Sequence, residues 1–538
     1  MSKILGIFGG THNANIAFIN DGKIEFCLEE EKTKGIKSIF DFGAKPIMSL
    51  EKLYTKYNIG ISDFDYVCWC EPHPRIYIES IKNEIKHSDF YSHHHCHAAG
   101  AYYTSNYKYD DKVLIITLDG GGQFHYGKVY LGYQNKIEEV HSLPIQTSGS
   151  LGQLWMQVTE AMGWKMLKDE GKIMGMAGHG KIDKMVLKLF SSCVDYKNLK
   201  FLNPATTTRT IFVCDYLKKL DYFTDEKKRK NIAATLQALT ENCVIQYIKD
   251  LLKKYSEYNK LALAGGIFAN VKMNKHINEI PWVDEIYVYP PMGDDGLALG
   301  AAIIKAVELG EYKIHAFDNV FLGTEYSDDE IANIIFHTNS ELEEFVNNNV
   351  KISAYHPQHI ATYLNEGKII GIFDGKIEYG PRALGSRSIL TRATDLWMHE
   401  ELNKRLKRHE IMPFAPIVLG DYENIPFECT KSLYTAEFMT ICYDTRKEWI
   451  DRIPAVVHDI DHTARPQIVT KMNGSKFFNI LQEYNLISGI PVLLNTSFNG
   501  HGEPILENPE KALKYLMDNT IDILVINDKT YIKNGSNI

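Results

Sequence analysis

Apolar and polar positions alternate over short stretches at the N-terminus, where residues 3–9, 15–19 and 23–28 read as strands joined by tight turns. A matching strand-and-turn set recurs within Lys112–Tyr133 (IITLDGGGQFHYGKVYLGY). Apolar residues then fall at helical spacing over Gln153–Met166 and Asn231–Tyr255. A strand at 261–264 runs into Gly265-Gly266, and a second glycine-rich turn at 293–296 precedes a helix at 297–308. A doubled set of strands ending in glycine turns, with helices between, predicts two related α/β halves around a cleft. The pattern changes over 325–350, which is acidic and asparagine-rich with little strand character, and the domain junction is placed there. Two domains follow, 1–345 and 346–538; the second carries its own strands at 369–373, 415–419, 491–494 and 523–526, enough for an independent α/β unit.

Composition narrows the class. A chain of 538 residues exceeds one core, and 44% hydrophobic with 24% charged residues is ordinary for a soluble enzyme. No apolar run reaches membrane-spanning length and the start MSKILGIFGG lacks the zones of a signal peptide, so no membrane partner and a cytoplasmic location are expected. The cysteines, nine in all, form no paired CxxC framework and read as reduced core thiols, with Cys68-Trp69-Cys70 on an alternating strand. A net charge of -9 argues against nonspecific nucleic-acid binding; the only dense basic runs are Lys227–Lys230 and Lys404–Arg408.

Chemistry concentrates in Phe90–Ala99 (FYSHHHCHAA), which packs four histidines into five positions. On a helix, His93 and His97 stand at i and i+4 and present both imidazoles to one metal. Asp294 is the expected third ligand, because two imidazoles and a carboxylate suit a divalent iron or zinc and leave positions open. Gly9-Gly10-Thr11 and Asp119-Gly120-Gly121-Gly122 each follow a β-run and would expose backbone amides to a phosphate. Gly265-Gly266 and the 293–296 turn would close over a ribose and base, and Asp119 is a candidate catalytic residue able to hold a metal or its water.

Longer motifs carry a family resemblance. His12-Asn13-Ala14-Asn15, HHHCHAA, LDGGGQ, GKIMGMAGHG (171–180), GGIFAN (265–270) and GDDGLALGAA (293–302) resemble the ASKHA-type domain of the ATP-dependent O-carbamoyltransferases that carbamoylate nodulation factors, tobramycin and cephems. EYGPRALGSRSIL (378–390), Met412-Pro413-Phe414-Ala415-Pro416 and LLNTSFNGHGEPI (493–505) resemble that family's YrdC-like C-terminal domain. The resemblance implies an ASKHA-type duplicated α/β domain followed by a YrdC-like α/β domain. It implies ATP, carbamoyl phosphate as co-substrate, and a divalent metal, iron first with zinc, manganese or magnesium as alternatives. Asn270 joins the nucleotide-binding glycines through the GGIFAN motif. Planar guanidiniums match phosphate oxygens in pairs, which singles out Arg382, Arg387, Arg408 and Arg465, while Asn495 and Ser497 would orient a carbamoyl group or nucleotide.

On that resemblance the second domain makes carbamoyl adenylate with pyrophosphate as by-product, and the first transfers the carbamoyl group to an acceptor hydroxyl. His12 matches the histidine of the family's HDAS-type motif and is the candidate general base. HDAS reads HNAN here, and Gln123 stands where glutamate is common after DGxG, two changes from acid to amide that point to an unusual acceptor. The leading acceptor is a sugar or natural product. The alternatives are the hydroxymethyl group of 5-hydroxymethylcytosine in DNA and a tRNA threonylcarbamoyl transfer; a hydrogenase-maturation role would need acylphosphatase-like and paired-cysteine regions that this sequence does not hold. A nonenzymatic ASKHA sensor would leave the histidine cluster and second domain unexplained. A homodimer is left open.

Overall fold

The computed structural model describes residues 2–9, 12–37, 46–71, 82–408, 413–420, 425–471 and 476–534. Its first sheet has strands β1 (Lys3–Phe8), β2 (Asn15–Asn20), β3 (Lys23–Glu29), β4 (Tyr66–Cys70) and β5 (Ser88–Tyr91) in the order β3-β2-β1-β4-β5. The second has β6 (Val113–Gly122), β7 (His125–Tyr133), β8 (Lys136–Pro144), β9 (Lys260–Ala264) and β10 (Glu285–Val288), ordered β8-β7-β6-β9-β10. In both, an antiparallel meander is followed by two parallel strands on the other side of the first. The chain thus repeats one topology twice, the two related halves that the paired glycine-ended strands predict and the duplicated ASKHA-type arrangement that the resemblance implies.

Two helices lie between these sheets and touch each other. Leu297–Glu308 packs on β1, β2 and β4, and His93–Tyr103 packs on β6, β7 and β9. Their crossing is close enough that a Cβ on Gly300 would meet the Cys96 carbonyl oxygen at 2.0 Å. Small residues after the histidine cluster (Ala98, Ala99, Gly100, Ala101) are the counterpart of that approach, and the alanines are fully buried. The Cys68-Trp69-Cys70 strand is β4, as expected a strand, but it is buried on both faces rather than alternating, because it pairs in parallel with β1 and β5.

The helices Asp328–His337 and Ser340–Asn349 occupy the acidic stretch, and the expected 345/346 junction falls inside the latter. Both pack on the helix Pro509–Met517. Beyond them an eight-stranded mixed sheet runs Val350–Ala354, Lys529–Lys533, Ile523–Ile526, Ile370–Phe373, Arg387–Arg392, Val492–Ser497, Ala415–Leu419, Gln467–Val469. This is the α/β C-terminal unit of the expected fold class.

A buried ionic joint connects the two parts. Lys32 Nζ lies 2.8 Å from Glu29 Oε1 and donates to the carbonyls of Glu378 (2.6 Å) and Gly380 (2.9 Å), while Gly380 N–H donates to Glu29. Glu378, also buried, accepts at Oε1 from the backbone N–H groups of Leu384, Gly385, Ser386 and Arg387. One carboxylate therefore folds the whole Gly380–Arg387 turn. Glu378→Ala would leave four buried donors without their acceptor and remove the foremost of the carboxylates that offset the Arg387 charge, and a loss on the order of 3–5 kcal/mol is expected, read as a lower denaturation midpoint. An unchanged midpoint would remove Glu378 from this role.

Candidate active site and metal centre

The end of β6 brings Asp119 against the histidine helix, and the turn before Leu297–Glu308 brings Asp294 to the same point. Asp119 Oδ2 is 3.4 Å from His93 Nε2 and 3.2 Å from His97 Nε2; Asp294 Oδ1 is 3.4 Å and 3.6 Å from the same atoms. All four ligand atoms lie within 4.8 Å of one another. The pair of histidines and Asp294 are brought together as the sequence predicts, and Asp119 completes a four-sided set rather than standing apart. Gly122 makes the approach possible, since a Cβ there would lie 2.2 Å from the His93 ring.

These residues fit a divalent ion. His93 and His97 are buried with their Nε2 atoms aimed at the carboxylates, and their Nδ1 atoms have no hydrogen-bond partner among the described residues. Burial works against charge on His97, but hydrogen bonds to Asp119 and Asp294 and their negative charges lift it to about 9. Burial likewise opposes ionisation of Asp119, yet the two histidines hold its carboxyl well below the usual range. A tight packing of negative oxygens and imidazole nitrogens is what a metal ion would neutralise. His94, by contrast, is structural: its nitrogens meet Thr117 Oγ1 at 3.0 Å and the His125 carbonyl at 3.1 Å, and burial keeps it neutral.

A cavity of about 380 Å³ opens beside Asp119 and Asp294. His12, Asn13, Gly120, Gly266, Asn270, Arg382 and Arg465 are on its wall, with Trp155, Met156 and Met174 as its apolar side. His12 Nε2 is 3.6 Å from Asp294 Oδ2, beside the ion site. Asp295, which the sequence reading passed over, also faces this space, and burial together with Glu29 and Glu31 pushes its carboxyl up to about 7. Asn270 departs from expectation: its amide caps the helix Val271–Asn278 through Met273 N–H and pairs with Gln237 in both directions, so it shapes the wall with its polar atoms already committed.

A second cavity of about 560 Å³ lies where the C-terminal unit meets Trp164, Lys168, Lys172 and Met176 of the N-terminal part, and Arg382, Arg408, Arg465, Asn495 and Ser497 line it. Arg408 donates to Thr496 Oγ1 at 3.0 Å, to the Asn499 carbonyl at 3.0 Å and to Asn499 Oδ1, which fixes its guanidinium at the end of the Val492–Ser497 strand. Asn495 Nδ2 donates to the Ala383 carbonyl at 3.0 Å, leaving a buried Oδ1 without a partner among the described residues. The two cavities share the wall made by Arg382, Arg465, Lys168 and Gly171. Burial and repulsion from Arg465 disfavour charge on Arg382, whose Nε has no partner among the described residues.

Several sequence candidates lie elsewhere. Arg387 is a correction: fully buried, it donates to the carbonyls of Asp374, Ser386 and Gly375 and stacks on Phe373 at 3.6 Å, so it holds the turn together and reaches neither cavity. Gly265 (φ 99°) is pressed against the Leu118 carbonyl and Gly121 (φ 147°) against Tyr126, making both backbone joints rather than cavity wall. Gly9 is buried just past β1, and Gly10 lies outside the described residues. Of the changed positions, Asn13, the amide in place of the acid of HDAS, is on the smaller cavity's wall; Asn15, in place of its serine, donates to the Asp294 carbonyl at 2.8 Å and accepts from Ala298 N–H, anchoring the ligand loop, and Gln123 bonds Glu71.

Residues 48–303 match the family model described as carbamoyltransferase N-terminus, and residues 361–533 the one described as carbamoyltransferase C-terminus. An uncharacterized protein of Methanocaldococcus jannaschii is 33% identical over 468 residues, covering 83% of this chain and 75% of the relative. The nodulation protein NolNO of Sinorhizobium fredii is 27% identical over 554 residues, 96% of this chain and 78% of the relative. Among solved structures, full-length HypF in its phosphate- and nucleotide-bound form aligns over 58% of this chain and 56% of its own with a TM-score of 0.35 and 16% identity, too remote to bear on function.

Proposed function

Because the chain belongs to the carbamoyltransferase family, we propose that it is an ATP-dependent O-carbamoyltransferase working from two adjoining cavities. In the larger, carbamoyl phosphate and ATP yield carbamoyl adenylate; atom balance requires one water and releases phosphate with pyrophosphate. Arg408 and Arg382 bind the phosphates there, Arg382 with Arg465 from the shared wall, and the orphan Asn495 Oδ1 accepts from the carbamoyl amide. The adenylate's phosphate keeps the same arginines when its carbamoyl end turns toward the smaller cavity.

In that cavity His93, His97, Asp119 and Asp294 would hold a divalent metal, iron first, which supplies Lewis-acid polarisation of an oxygen. His12, beside Asp294, takes the proton of the acceptor hydroxyl, whose oxygen bonds the carbamoyl carbon as AMP leaves. Trp155, Met156 and Met174 exclude water from the adenylate. The observation that carries the reading is the wall shared by two cavities, with Arg382 and Arg465 in it.

A small hydroxyl acceptor of the sugar or natural-product class is favoured over DNA by the fate of the basic runs. In Lys227–Lys230, Lys228 donates to the Leu220 carbonyl, Arg229 to those of Phe223 and Met162, and Lys230 pairs with Glu226. Arg405 pairs with Glu401 and Asp522, and Arg408 is inside the larger cavity. Incubation with ATP, carbamoyl phosphate and a panel of hydroxylated acceptors, followed by mass, tests the reading. Carbamoylation of a small acceptor is expected with almost no salt dependence. Product on hydroxymethylated DNA, with a log–log salt slope near -0.9 per phosphate neutralised, would replace this acceptor class; ATP turnover without any carbamoyl product would overturn the function.

A further inference from the structure

The turn before the helix Glu170–Ala177 carries Lys168 into the walls of both cavities. Resting on the carbamoyltransferase reading above, we propose that Lys168 is a further ligand of the adenylate phosphate, one that holds the intermediate as it passes from the larger cavity to the smaller. Its ammonium nitrogen donates to the Gly502 carbonyl at 2.6 Å, so the side chain already spans from the N-terminal part to the C-terminal unit. An ammonium carries three N–H donors, and others therefore remain for an anion. Among the described residues Lys168 forms no ion pair to take them up.

The acids of the same turn are committed elsewhere. Asp169 pairs with Lys172 at 2.9 Å and accepts from the Lys165 N–H at 3.0 Å, while Glu170 accepts from the Leu167 N–H at 2.6 Å. The turn they hold has Leu167 at φ 63°, a left-handed conformation that a bulky side chain rarely adopts, and strain of this kind collects where a neighbouring group has to be placed. Gly502, at φ 75°, leaves room for the ammonium from the other side, since a Cβ there would lie 3.3 Å from Lys168 Nζ. Burial and repulsion from Lys165 and Lys37 disfavour the Lys168 charge beyond what Asp169 and Glu31 restore. A phosphate relieves that cost.

Residue type separates Lys168 from the arginines beside it. Arg382 and Arg465, on the same wall, meet phosphate oxygens as rigid planar forks, whereas a lysine is a point charge on a flexible aliphatic stem. A group that keeps hold of a phosphate while the adenylate changes cavity needs the second property. Arg408 lacks it, being pinned by Thr496 and Asn499 inside the larger cavity.

Two measurements on the full chain test this role: AMP affinity by calorimetry, and the ratio of carbamoyl product to AMP released during turnover with ATP, carbamoyl phosphate and an acceptor. Lys168→Met keeps the length of the side chain and removes its charge. It should weaken AMP binding by at least about fivefold and lower the product ratio by at least about fivefold, as adenylate escapes to water, each about 1 kcal/mol of lost charge-assisted bonding. Lys168→Arg, which keeps the charge, should recover most of both. A Lys168→Met protein that matches the parent in either measurement, a loss that Lys168→Arg does not recover, or a parent that does not bind AMP would overturn the proposal. A parent that binds AMP and yields no carbamoyl product would overturn the carbamoyltransferase reading instead, and the AMP affinities would then decide the role of Lys168 alone.

Discussion

Arg382→Ala should abolish carbamoyl-adenylate formation, by about 10²-fold or more, and should also slow consumption of adenylate supplied from outside. Both losses are expected because Arg382 lines both cavities. Burial beside Arg465 penalises its guanidinium more than Asp295 offsets, a cost that a bound phosphate relieves. Arg382→Lys should be nearly as damaging, since a point charge cannot fork two phosphate oxygens. Arg408→Ala, confined to the larger cavity, should lose adenylation and still consume supplied adenylate. ATP–pyrophosphate exchange measures the first reaction and carbamoyl product the second. Exchange at the parent rate in Arg382→Lys would show that the shared wall does not bind the nucleotide.

Arg387 marks where residue type misleads. In sequence it stands five positions from Arg382 among the same glycines, and both read as anion binders. The distinction depends on Glu378, whose carboxylate collects four backbone N–H groups and turns the chain so that Arg382 faces the cavities and Arg387 points under the sheet into carbonyl oxygens. Nothing in local spacing announces that turn. The duplicated halves were legible because alternation and glycine-ended strands are local properties, as was the histidine pair, because i and i+4 share a helix face. Asp295, Lys168 and Trp155 were not legible as cavity residues: each is brought there by packing between distant elements. Asn270 fits its motif, yet the need to cap the following helix takes its polar atoms.

Asp119 holds the largest remaining consequence, because a carboxylate next to an ion site can be a ligand or can act only on the substrate. Its Oδ2 is 3.2 Å from His97 Nε2 and 3.4 Å from His93 Nε2, as close as Asp294 comes to either ring, which is the placement a ligand would need. Asp119→Asn and His97→Ala should therefore both lose bound metal, with affinity down by about 10²-fold or more and acceptor carbamoylation lost with it. ATP–pyrophosphate exchange should persist in both, since neither residue reaches the larger cavity. Metal content by elemental analysis separates the cases. An Asp119→Asn protein that keeps its full metal while losing transfer would return Asp119 to a role on the substrate alone, and one that keeps both would remove it from the site. A His97→Ala protein that retains stoichiometric metal at this centre would remove the metal assignment itself.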